Sequence, residues 1–196
     1  MSKISRRTKL SPRQRLERNL AGGRNTIFVM VFLTIVNVVI AASGGDSYYL
    51  FSAAVPYFLV LTCLYRCGLL PNYWYEAPKS EYQFDDLSTL VVPVIVAVLI
   101  LLLYVLLALK FKTSKVARLV AVVMVFVDTL AVFAFYDMQD GAGDAIFHLV
   151  ILTYLVVAIV SHKRLAKMPP DDEFALDAET PEDPNGAQNG DSDFNY

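Results

Sequence analysis

Apolar residues along this chain gather into five blocks, residues 26–43, 48–65, 87–109, 116–136 and 145–161, joined by shorter polar or charged stretches. Each block is about as long as the roughly 17 to 25 residues an α-helix needs to cross bilayer hydrocarbon. The pattern predicts an all-α integral membrane helical bundle. The first block follows a basic segment and ends in Ala41, Ala42 and Ser43, as a cleavable leader would. Its unbroken apolar run exceeds the roughly 7 to 15 residues of a leader core and four more blocks follow, so it is read as the first span.

The placement of Lys and Arg decides how many blocks cross, because bases are retained on the cytoplasmic side while Asp and Glu count for little. Residues 1–24 hold eight bases (Lys3, Arg6, Arg7, Lys9, Arg13, Arg15, Arg18 and Arg24) against Glu17 alone. Lys110, Lys112, Lys115 and Arg118 separate the third and fourth blocks, and Lys163, Arg164 and Lys167 follow the fifth. The connection Asp137-Met138-Gln139-Asp140-Gly141-Ala142-Gly143-Asp144 contains no base and belongs outside. These demands put 15 of the 17 bases on one side only if one block fails to cross.

Block 48–65 is the one expected not to cross. Tyr48, Tyr49, Phe51, Tyr57, Phe58 and Tyr65 favour the membrane–water interface. Pro56 removes a helix donor near the middle, and backbone that leaves a helix at membrane depth must be covered by protein or water. The expectation is four transmembrane spans plus one re-entrant or interfacial segment, five spans being the alternative. Asn72-Tyr73-Trp74-Tyr75 extends the aromatic belt, so residues 44–86 should form a collar on the outer face.

Composition changes the picture mainly at the ends. The net charge of −2 conceals a basic head and a tail, residues 169–196, with nine acids and no base. Three regions result: a basic cytoplasmic tail over 1–24, a transmembrane domain over 25–168 and a disordered acidic cytoplasmic tail over 169–196. Ser11-Pro12-Arg13-Gln14 reads as a capping box with proline at the first helical position, and Gly22-Gly23 as a stop, giving a short interfacial helix. Arg6, Arg7, Lys9, Arg13, Arg15 and Arg18 are the expected contacts to lipid headgroups, at about 1 kcal/mol per base near the surface. Gly44-Gly45 reads as a tight exit from the first span.

Little chemistry is signalled. Cys63 and Cys67 lack CxxC spacing and read as small apolar side chains. Two isolated histidines make no zinc-ligand spacing. No hydrolase, nucleotide-binding or nucleic-acid motif occurs, so no catalytic residue, metal, cofactor or nucleic-acid partner is expected. Asp128, alone in an apolar helix, would cost about 2.5–3.5 kcal/mol facing lipid and should face the interior or water. Counting along the helices puts Asp128, Asn37, His148, Thr153 and Tyr154 at similar depths in the outer half, where they form the candidate polar cluster. As a relay the cluster would move protons or cations. As interhelical glue, Asp128 would pair with Asn37 or Tyr154, with Arg66 a further candidate, and would tolerate Asn but not Leu.

The run from Arg24-Asn25-Thr26-Ile27-Phe28-Val29 through Gly44-Gly45-Asp46-Ser47-Tyr48-Tyr49-Leu50-Phe51-Ser52 to Val55-Pro56-Tyr57 resembles small polytopic membrane proteins of Gram-positive bacteria. The resemblance covers residues 24–165, implies a bacterial plasma membrane and carries no catalytic residues. The resulting expectation is a multi-pass plasma-membrane protein with both termini cytoplasmic. Its role would be non-enzymatic, an interaction or accessory protein whose partners are the lipid bilayer and a membrane protein or a second copy of itself. The alternative is a small transporter or ion-coupled carrier, motivated by Asp128 and Pro93, which with four spans would require an oligomer. A membrane enzyme would require Asp128 and His148 to meet as acid and base.

Overall fold

The computed structural model describes residues 10–45, 47–135 and 142–169. The acidic tail and Arg6, Arg7 and Lys9 lie outside the described residues. Five helices follow one another: α1 (Pro12–Ala42), α2 (Ala54–Arg66), α3 (Val91–Lys110), α4 (Lys115–Phe135) and α5 (Ala142–Leu165). Short 3-10 turns at Asn72–Trp74, Lys79–Glu81 and Leu87–Leu90 connect α2 to α3. Helices α1, α3, α4 and α5 are long and apolar enough to cross a membrane, and α2 is a shorter apolar helix. The fold is the expected all-α bundle, with four helices long and apolar enough to span and a shorter apolar helix where the re-entrant or interfacial segment was expected.

At 13 residues α2 extends only about 20 Å, less than the roughly 30 Å of a hydrocarbon core. Its position shows where it begins. Thr34 of α1 accepts the backbone N–H of Ala53 at 2.6 Å, eight residues or about 12 Å before the α1 end at Ala42. The chain therefore turns at the end of α1, descends through residues 47–53 without helix, and climbs back as α2. Both mouths of this hairpin lie together: the Tyr73 hydroxyl donates to the Gly44 carbonyl at 3.3 Å, and Arg66 at the top of α2 pairs with Asp85 at 2.7 Å. Arg66 is thus no partner of Asp128.

Glycine permits both turns. Gly44 (φ +81°) follows α1, with the Gly45 N–H donating to Ile40 and the Gly44 N–H to Ala41. Gly68 (φ +68°) follows α2, with Leu69 donating to Leu64 and Gly68 to Tyr65. This paired arrangement satisfies the last carbonyls of a helix and needs a left-handed residue that only glycine adopts without steric cost. Above it the collar is ordered. Tyr65 and Tyr75 stack at 4.7 Å between ring centroids, with Tyr82 and Phe84 edge-on to Tyr75. The Lys79 ammonium lies 5.1 Å from the Tyr75 centroid and donates to the Gly68 carbonyl at 2.8 Å. Burial pushes the Tyr75 phenol above its ordinary value.

One expectation fails at the other end. The capping box of Ser11 and Gln14 is present, with Pro12 at the first position, but Gly22-Gly23 does not stop the helix. Helix α1 runs through both glycines for 31 residues, so the basic segment from Pro12 onward continues the first span rather than forming a separate interfacial helix. Gly23 is retained by packing. A Cβ there would come within 2.6 Å of the Ala158 side chain and 3.3 Å of the Phe111 ring. Pro93 occupies the first turn of α3, where its missing N–H removes no intrahelical bond, so it does not break the span.

The bundle is divided by depth. Ile27, Met30, Tyr104, Ala108, Phe111, Ala121, Val125, Ile151, Leu155 and Ala158 form an apolar core shared by the four long helices. That core ends near Thr34, where polar side chains take over. At the basic end, buried Arg118 donates to the carbonyls of Phe111 (2.8 Å) and Lys112 (3.1 Å), satisfying acceptors left open where α3 ends.

The two glycines of α1 should respond oppositely to substitution. Gly22→Ala should raise thermal stability in detergent, by up to about 1 kcal/mol, because no atom lies within 4 Å of its added Cβ. Gly23→Ala should lower it by about 1–2 kcal/mol, as overpacking against Ala158 outweighs the propensity gain. Equal shifts of the same sign would contradict this account of α1.

Candidate functional site

The first turn of α2 starts beside Thr34, about 12 Å before the end of α1, and nothing in its own sequence caps it. Ala53 precedes the helix and has no side-chain acceptor to offer. A helix N-terminus leaves four N–H groups without intrahelical partners, and in lipid each is costly. Here all four are accounted for. The Ala53 N–H goes to the Thr34 hydroxyl at 2.6 Å, the Ala54 N–H to Asp128 Oδ2 at 2.8 Å and the Val55 N–H to Asp128 Oδ1 at 2.8 Å. The fourth position is Pro56, which has no N–H. Asp128, from another helix, does the work of a missing N-cap residue, and its charge sits where the helix dipole favours an anion.

A third bond fixes the carboxylate. His148 Nε2 lies 3.0 Å from Asp128 Oδ2, with the two side chains 0% and 2% exposed. His148 Nδ1 is 2.9 Å from the carbonyl oxygen of Asp144, one turn earlier on α5. A carbonyl can only accept, so Nδ1 carries a hydrogen. Nε2 and Oδ2 thus face each other within hydrogen-bond distance, and pairing of this kind is how ionisable groups are accommodated inside a membrane bundle.

The descending limb is held by the same set of helices. Asn37 of α1 grips Tyr49 with both ends of its amide, Nδ2 donating to the Tyr49 carbonyl at 2.7 Å and Oδ1 accepting its N–H at 2.8 Å. Tyr48 donates to Asp144 Oδ2 at 3.0 Å and lies 2.6 Å from the Ser52 hydroxyl. Phe51 turns the chain in a left-handed conformation, φ +73°, with its ring 4.3 Å from that of Phe147. Such a conformation costs about 1–2 kcal/mol for a residue with a Cβ and persists only where its surroundings impose it.

The expected cluster therefore forms in part. Asp128 and His148 meet directly, and Asn37 is buried but bonded to Tyr49 rather than to Asp128. Thr153 and Tyr154 do not join. The Thr153 hydroxyl donates to the Leu149 carbonyl, and Tyr154 is 53% exposed on the outside of α5. Of the expected headgroup contacts within the described residues, Arg15 and Arg18 are exposed at the basic end, while Arg13 bonds Glu17 and the Pro169 carbonyl. Thr34, Tyr48, Ser52 and Asp144 were not anticipated. Asp144 was assigned to the outer loop, yet it is 2% exposed in the first turn of α5. The i,i+4 spacing of Asp144 and His148 was its one signal in the sequence.

Chemically the arrangement is a clamp. Both carboxylate oxygens of Asp128 are occupied by backbone donors, and Asp128 is 1% exposed. Comparison with protein-family models, curated proteins and solved structures finds no match for this chain.

The clamp alters the expectation that Asn would serve at position 128. An amide offers one acceptor oxygen, so its NH₂ would face the N–H of Ala54 or Val55. Asp128→Asn should destabilise the protein in detergent by about 1–3 kcal/mol, the cost of one buried unsatisfied donor. Asp128→Leu, which orphans two N–H groups and His148, should cost about 3–5 kcal/mol. Denaturant titration in mixed micelles measures both, and an Asn variant as stable as the parent would contradict the bidentate geometry.

Proposed function

We propose that this chain is a non-catalytic interaction or accessory protein of a bacterial plasma membrane, with both termini cytoplasmic and its aromatic collar on the outer surface. The observation that supports a non-catalytic role is the full occupation of Asp128: both carboxylate oxygens accept backbone N–H groups that begin α2, and His148 bonds the same carboxylate. A side chain so committed stabilises a shape, here the ordered collar of Tyr65, Tyr75, Tyr82 and Phe84. The orientation is supported by charge. With four crossings, 15 of 17 bases precede α1, line its first turns, or lie at the α3–α4 turn and the end of α5, leaving Arg66 and Lys79 opposite.

The carrier reading draws on one observation, the 3.0 Å contact between Asp128 Oδ2 and His148 Nε2. Transport would require water to reach that pair from at least one side. In proteoliposomes carrying a pH-sensitive dye, the protein should give no proton flux above protein-free vesicles under an imposed gradient. A flux abolished by Asp128→Asn, in protein that remains folded, would reject the accessory role in favour of the carrier.

Orientation is tested separately. In a background lacking Cys63 and Cys67, Lys79→Cys and Gln139→Cys should both react with a membrane-impermeant thiol reagent on intact cells, and Lys112→Cys should not. Labelling at position 139 without labelling at 79 would contradict the proposed topology.

A further inference from the structure

Helices α1 and α5 pack against each other through Gly23 and Ala158, and a groove of about 530 Å³ opens beside that contact. Arg18 and Asn19 line its basic end, Gly22 its floor, and Val150, Tyr154 and Val157 its wall. Asn19 donates to the Ser161 hydroxyl at 3.3 Å, which sets the register of the two helices. Val150 lies eleven residues before Ser161 on α5, so the groove runs about 16 Å from the basic end toward the middle of the helix.

Two features of the groove have no explanation in the packing of the chain itself. Gly22 costs α1 about 1 kcal/mol relative to Ala, and unlike Gly23 it is not demanded by a neighbour, since no atom lies within 4 Å of a Cβ built there. Its effect is to leave room. Tyr154 is 53% exposed within the hydrocarbon span, and its hydroxyl has no hydrogen-bond partner among the described residues. An unsatisfied hydroxyl is costly where water is absent.

We infer that the α1–α5 groove is a binding site for an anionic phospholipid. An elongated apolar trough with a cation at its mouth and an unsatisfied hydroxyl inside complements that molecule part by part. The Arg18 guanidinium takes the phosphate, the Tyr154 hydroxyl donates to an ester carbonyl, and an acyl chain lies over Gly22 between Val150 and Val157. Charge favours lipid over a second copy of this chain, which would bring its own Arg15, Arg18 and Lys163 to the same end of the membrane. The site is independent of the proposed interaction role and of the direction in which the protein sits.

The test uses the full-length protein in detergent, titrated separately with phosphatidylglycerol and phosphatidylcholine and read by native mass spectrometry, alongside Gly22→Leu and Arg18→Gln. The parent should retain phosphatidylglycerol in preference to phosphatidylcholine. Arg18→Gln should weaken phosphatidylglycerol retention about fivefold, the loss expected for one base near the surface, and phosphatidylcholine retention less, because the choline cation already offsets its phosphate. Gly22→Leu should lower retention of both lipids, because its side chain occupies the floor. A thermal melt confirms that the Leu variant is folded, and Arg18→Gln alters an exposed side chain that no fold contact requires. Lipid retention by Gly22→Leu equal to that of the parent would overturn the site. So would displacement of the lipid by soluble glycerol phosphate at equal concentration, which would show that the apolar groove contributes nothing. A parent protein that is dimeric without bound lipid, and becomes monomeric on Gly22→Leu, would assign the groove to a second copy instead.

Discussion

A helix that begins inside a membrane must find hydrogen-bond acceptors for its first turn, and the architecture of this protein is arranged around that requirement. The donors of Ala53, Ala54 and Val55 have no water to turn to. Thr34 from α1 and Asp128 from α4 supply the acceptors, and Pro56 removes the fourth donor altogether. His148 from α5 completes the carboxylate's bonding. Three spans thus converge on one turn of backbone. An isolated Asp in an apolar helix, otherwise a cost of about 2.5–3.5 kcal/mol, becomes the group that makes a non-crossing segment possible.

The remaining structure follows from where that turn sits. Because α2 starts about 12 Å below the end of α1 and rises about 20 Å, its upper end emerges past the end of α1 beside Asp85, and the aromatic collar assembles on it. The opposite half of the bundle is filled by apolar side chains from all four spans. Arg118 provides a counterpart at the basic end, a buried cation satisfying carbonyls where α3 stops. A carboxylate at a helix start and a guanidinium at a helix end are the charge signs that the backbone's own partial charges favour.

The sequence revealed the architecture through block length and basic-residue placement, two signals that do not depend on which face of a helix a residue occupies. It revealed the site less completely because depth was legible and rotation was not. At about 100° per residue Thr153 falls on the far side of α5 from His148, Ile151 and Leu155, and Tyr154 falls about 120° from His148, at the edge of the buried face. The partners of Asp128 were missed for a different reason: two of them are backbone N–H groups, which carry no residue identity and show only once the chain is folded. Gly22-Gly23 misled because glycine signals both a helix end and a close helix contact, and only the proximity of Ala158 distinguishes them.

The central claim, that Asp128 caps α2 from across the bundle, is tested most directly by residue-resolved amide hydrogen exchange of the protein in nanodiscs, comparing the parent with Asp128→Ala. The account predicts that the Ala54 and Val55 amides are strongly protected in the parent. In the variant they should exchange about 10- to 100-fold faster, the consequence of losing about 1–3 kcal/mol of satisfied bonding. Amides in the middle of α4 should keep their protection. Unchanged exchange at Ala54 and Val55 in a folded variant would show that the first turn of α2 is held by something other than Asp128, and would contradict the account.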